Sequence, residues 1–100
     1  MARTLPTFQQ NLSPAAATLE QLGKIVRNRR AHSHLRIDDA ASLSGVSSDV
    51  LSRLENGKPV TVDKLMRVLE SMGLRMLIVP KTLVSDLEDV IQRKHKGGAP

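Results

Sequence analysis

The sequence predicts a mainly α fold, a small helix bundle followed by one short β-strand near its C-terminal end. Three observations point there. Apolar residues recur at helical steps in blocks that stop at Gly45, Gly57 and Gly73. Only Val46 and Ser47 separate the first of these glycines from the next helical block, which demands a tight turn. The stretch "LRMLIV", residues 74–79, is apolar on alternate positions of both faces and ends at Pro80, as a strand would.

Taken in order, residues 1–12, "MARTLPTFQQNL", have no usable period and are expected to form a flexible arm. Ser13-Pro14 pairs a capping hydroxyl with proline at a first helical position, so a helix is expected from there. Its apolar stripe, Ala15, Leu19, Leu22 and Val26, continues by one more step to Arg30, a charge on an inward face. A second helix, Ile37 to Ser44, has Asp38 and Asp39 in its first turn, where the dipole favours acids, and is ended by Gly45. Ser47 caps a third helix with Val50, Leu51 and Leu54 inward, stopped at Gly57. Thr61 caps a fourth with Leu65, Met66, Leu69 and Met72 inward, stopped at Gly73.

The strand over residues 74–79 would direct Leu74, Met76 and Ile78 to one face and Arg75, Leu77 and Val79 to the other. A lone strand leaves its backbone groups unpaired, and no second strand is in view. The same strand from a second copy, across a two-fold axis, is the economical partner. Ser85-Asp86-Leu87-Glu88 has the pattern of a capping box and predicts a short helix to about Arg93, with "KHKGGAP" as a disordered tail. The domain organisation is therefore an arm (1–12), a helical domain with its strand (13–80), and a short helix with tail (81–100).

Composition narrows the function. With no cysteine among 100 residues, disulfides, thiolate zinc sites and a cysteine nucleophile are excluded. No stretch suggests a secretory signal or a membrane span, so a bacterial-style cytoplasmic protein is expected. The formal charge is +5, and all of the excess lies in residues 1–36, where Arg3, Lys24, Arg27, Arg29, Arg30 and Arg36 face only Glu20. A basic helix of this kind, "KIVRNRR", suits a polyanion surface, although a solvated helix face has the same composition. Phe8 is the one aromatic residue, too few for stacking on single strands. His32 and His34 could be two metal ligands, but His95 is the one other histidine and no third ligand stands at suitable spacing. No phosphate loop, nucleophile elbow or paired-carboxylate pattern occurs, so neither an enzyme nor a cofactor is expected.

At "GVSSDVLSRLENGK", residues 45–58, the chain resembles the helix-turn-helix domain of the Xre/Cro family of phage and bacterial repressors. Turn glycine, core positions and the terminal Glu-Asn-Gly stand at family spacing, and the likeness extends over residues 19–74. It implies a lambda-repressor-like bundle whose third helix enters the major groove of operator DNA. Ser47, Ser48, Asp49, Ser52 and Arg53 then become base-contact candidates, with Arg27, Arg29, Arg36 and Lys58 on phosphates. Arg53 could read guanine O6 and N7 bidentately, and Asp49 could accept from cytosine N4 or orient Arg53 one turn on. The resemblance also couples Glu55 to Arg30, the charge already found on the inward stripe. Ile37 departs from the polar residue usual at the start of the second helix, so Arg36 is expected to supply that phosphate contact.

"MGLRMLIVP", residues 72–80, further resembles HipB-like antitoxins. This implies a homodimer joined through Leu74, Met76, Leu77, Ile78 and Val79, repression of its own operon, and a HipA-like serine/threonine kinase toxin as partner. A stand-alone repressor without a toxin and an RNA-binding protein are the alternatives.

Overall fold

The computed structural model describes residues 7–97, which form five α-helices: α1 (Leu19–His32), α2 (Ile37–Ser44), α3 (Ser48–Glu55), α4 (Val62–Ser71) and, after a 3-10 turn at Lys81–Leu83, α5 (Val84–Gly97). α1 packs chiefly on α3, and α2 packs on α3 and α4. Between them lies one core of Val26, Ala40, Ala41, Leu51, Leu54, Leu65, Val68, Leu69 and Met72. Ala40 and Ala41 let α2 approach closely, and Leu22, Leu35, Ile37, Val46, Val60 and Leu74 close the rim.

The four bundle helices end alike. After each, the sixth residue's N–H reaches back to the first one's carbonyl: Leu35 to Arg30, Val46 to Ala41, Lys58 to Arg53, Leu74 to Leu69. This closure needs one left-handed residue, supplied by Gly45, Gly57 and Gly73 and, after α1, by His34 at φ 56°. Histidine has a Cβ and tolerates this conformation poorly, which is why the sequence signals the other three ends and not this one.

Several expectations are corrected. α1 starts at Leu19, capped by Thr18, whose hydroxyl accepts from the Gln21 N–H at 3.1 Å. Ser13 instead folds on its own turn, accepting from the Ala15 N–H and donating to Glu88 of α5. Leu19 is consequently exposed. In α4, Met66 faces solvent and Val68 takes the inward position. Thr61 precedes α4 without a capping bond; its hydroxyl bonds the Asp63 carboxylate and is the main cause holding that exposed group below its usual pKa. α5 begins before Ser85 and runs through Gly97, so residues 94–97 of the expected tail are helical.

No strand occurs among the described residues, and 74–80 run as coil. A strand exists only as part of a ladder, and the described residues supply no second member. Leu74 packs on the core rim rather than standing free, while Leu77 and Ile78 are 74% and 91% exposed. Part of the expected flexible arm is tied down. The Gln9 N–H donates to Asn28 Oδ1 at 2.6 Å, Asn28 Nδ2 returns a bond to the Gln9 carbonyl at 2.8 Å, and Phe8 meets the His32 ring at 5.0 Å. Residues 1–6 of the arm and 98–100 of the tail lie outside the described residues.

Candidate nucleic-acid interface

α2, the turn Gly45-Val46-Ser47 and α3 form a helix-turn-helix unit whose parts are fixed by local chemistry. Gly45 closes α2, and the Ser47 hydroxyl accepts from the Val50 N–H at 3.1 Å to open α3. Arg67 of α4 reaches the Gly45 carbonyl at 3.5 Å and steadies the turn from outside. Ser44, buried at the end of α2, donates to the Ala40 carbonyl or shares a proton with Ser71 Oγ at 2.5 Å. These links hold α2 against α4 and leave the α3 outer face to solvent.

α3 is held from behind by an ion pair. Arg30 Nε donates to Glu55 Oε2 at 2.6 Å and Nη2 to Oε1 at 2.8 Å, a bidentate fork with side chains only 8% and 5% exposed. Arg30 Nη1 also donates to the Leu35 carbonyl at 3.0 Å, so one guanidinium ties α1, α3 and the α1–α2 loop together. The family resemblance implies that these two residues pair, and the structure gives the geometry.

A second feature of this contact has no signal in periodicity. A Cβ on Gly23 would stand 2.4 Å from the Leu54 carbonyl oxygen and 2.7 Å from that of Glu55. α1 therefore crosses the C-terminal end of α3 with nothing between the backbones. That close approach sets the depth at which α3 sits, and only the missing side chain of a mid-helix glycine hints at it.

The candidate base contacts fall on one face of α3 and its cap, but they differ in state. Ser47, Asp49 and Arg53 are exposed; Ser48 and Ser52 are half-buried. Ser48 Oγ donates to Asp38 Oδ1 of α2 at 2.7 Å. Asn56 Nδ2 donates to the Ser52 carbonyl at 2.8 Å and approaches its Oγ at 3.4 Å. Arg53 Nη2 donates to the Pro59 carbonyl at 3.1 Å, so the loop after α3 orients this arginine and not Asp49. The remaining guanidinium N–H groups are enough for a bidentate contact.

Among the candidate phosphate contacts, Arg27, Arg36 and Lys58 are exposed. Arg36 precedes α2 without capping it. Arg29 is corrected: half-buried, it donates Nε to the Met72 carbonyl at 2.8 Å and closes the C-terminal end of α4. Among the described residues no cluster of three or more His, Cys, Asp or Glu could hold a metal ion, and no helix is long and apolar enough to cross a membrane.

Comparison with known proteins agrees with this geometry. A family model described as a helix-turn-helix domain matches residues 21–73. Among solved structures, the clp gene regulator ClgR from C. glutamicum superposes with a TM-score of 0.53 at 26% identity, covering 86% of this chain and 100% of that one. No match is found among curated protein sequences.

Proposed function

Because the chain belongs to the helix-turn-helix domain family, in its Xre-like form, we propose that it regulates transcription by binding a palindromic duplex as a homodimeric repressor. The observation that carries this is the outer face of α3, which presents Ser48, Asp49, Ser52 and Arg53, in a domain whose Arg27, Arg36 and Lys58 are exposed. Polar side chains able to read base edges, together with exposed charges able to hold phosphates, are what duplex recognition requires. Arg53 supplies discrimination, and Arg27, Arg36 and Lys58 supply salt-sensitive affinity.

The second copy is supported by residues 75–79. Among the described residues their backbone groups have no intrachain backbone partner, and Met76, Leu77, Ile78 and Val79 leave apolar side chains in water. Pairing with the same segment of another chain satisfies both. The finer reading, that the protein is the antitoxin of a HipA-like kinase and represses their shared operon, rests on the likeness of "MGLRMLIVP" to HipB-like antitoxins.

Selection from a random duplex pool tests the DNA reading: recovered sites should share a palindrome, and single-stranded DNA or RNA should compete poorly. Preference for RNA would replace it. Co-expression with the neighbouring gene product tests the antitoxin role, which requires a stable complex with a kinase-like protein that relieves toxicity and binds operator DNA. Without such a partner the protein acts as a stand-alone repressor.

A further inference from the structure

The serines of α3 differ in what their hydroxyl protons already do. A hydroxyl has one proton and two lone pairs, and a carboxylate oxygen has only lone pairs to offer. The 2.7 Å bond between Ser48 Oγ and Asp38 Oδ1 therefore runs one way, with Ser48 donating. Toward any ligand, Ser48 is left with lone pairs alone. Ser52 is the contrast: Asn56 Nδ2 approaches its Oγ from the donor side at 3.4 Å, so the Ser52 proton is available to an acceptor.

Resting on the DNA-binding reading above, we infer that Asp38 is a specificity-determining positioning residue, which makes Ser48 read bases that present a donor in the major groove. Adenine offers its N6 amino group there and cytosine its N4 amino group, whereas guanine O6 and N7 and thymine O4 are acceptors. A serine with a free proton turns to suit either kind and discriminates weakly. Ser48 with its proton held by Asp38 accepts from adenine or cytosine and meets guanine, thymine or a phosphate oxygen lone pair to lone pair. Giving the proton to a base instead means breaking a bond to a carboxylate, stronger than one to a neutral acceptor. Asp38 sits in the first turn of α2 and Ser48 in the first turn of α3, so the same bond braces the two helices at the end presented to the groove.

The test uses the full chain and duplexes recovered by selection, with each half-site position varied through all four bases and affinities read by fluorescence anisotropy. Ser48→Ala identifies the position that Ser48 contacts. There the unsubstituted protein should favour adenine or cytosine over guanine and thymine by about three- to tenfold, the effect of one neutral hydrogen bond. Asp38→Ala should bring that ratio below about twofold while affinity for every sequence rises, because a negative charge near phosphates has gone. Asp38→Asn, whose amide oxygen still accepts from Ser48, should raise affinity likewise yet keep most of the preference. In the Ser48→Ala background, Asp38→Ala should change no base preference further. A further change there would mean that Asp38→Ala acts through α2 and not through Ser48, and overturns the inference. A preference for guanine or thymine at the Ser48 position, or one untouched by Asp38→Ala, overturns the inference and leaves DNA binding standing. Loss of all sequence preference in the unsubstituted protein brings down the DNA reading and this inference with it.

Discussion

Arg30 meets three acceptors at once, both Glu55 oxygens and the Leu35 carbonyl, so removing Glu55 strands a guanidinium in the interior. Breaking a buried pair from one side costs about 3–5 kcal/mol, and Arg30→Ala or Glu55→Ala should each lose that much in urea unfolding. The double substitution should lose much less than the sum, and strict additivity would show the pair to be uncoupled. Two backbone positions make sharper tests. Gly23→Ala gains helix propensity of about 1 kcal/mol but drives a Cβ to 2.4 Å from the Leu54 carbonyl. Backbone is what it meets, so a net loss of about 1–3 kcal/mol is expected; a stabilised variant would mean the helices can part cheaply. His34→Gly runs the other way. It relieves a left-handed side-chain residue at φ 56° and should stabilise by about 0.5–1 kcal/mol, as a shift in urea midpoint at constant slope.

Among elements, α3 on the proposed function reads DNA with one face and packs on α1 and α2 with the other, and substitutions should divide accordingly. Arg53→Ala removes the arginine proposed to make a bidentate base contact, and should cost about 1–3 kcal/mol at the preferred operator while relaxing one base pair per half-site. Arg27→Ala should instead weaken binding to all sequences and lower the salt slope by about one per half-site. Titrations in two salt concentrations separate the two. Equal weakening of all sequences by Arg53→Ala would make it a phosphate contact. Arg29→Ala belongs to neither class: its guanidinium closes α4 through the Met72 carbonyl, so its effect should appear in unfolding rather than in the salt slope. α5 touches the preceding turn and the Ser13 hydroxyl, a thin attachment compared with the bundle helices.

For the whole molecule, the question is what covers the residues after Gly73. Burying Met76, Leu77, Ile78 and Val79 against a second copy would remove apolar surface from water and pair a row of backbone groups in one step. Leu77→Pro deletes one N–H from that row and strains the extended chain. Sedimentation should then show loss of the dimer with helical content unchanged, since 75–79 contribute nothing to the bundle core. A dimer that survives the substitution would place the interface elsewhere on the surface.

The sequence by itself determined the parts whose causes are local. Gly45, Gly57 and Gly73 stop their helices because a left-handed residue is needed within one turn, and Ser47 opens α3 through a hydroxyl three residues from its donor. The inward position of Arg30 followed from helical spacing, and its link to Glu55 from family likeness. The tertiary structure decided whatever depends on neighbours distant in the chain. Thr18 and not Ser13 starts α1, and the Ser13 hydroxyl, on a turn of its own, donates to Glu88, 75 residues away. Arg29 is spent on Met72, 43 residues on, and Gly23 is empty for the sake of Leu54 and Glu55. Asp38 looked like a dipole residue until α3 folded beside it and set a serine hydroxyl within its reach. Capping and turn chemistry act over a few residues and can be read along the chain. Which side chain meets which across the bundle is fixed only when packing brings them together.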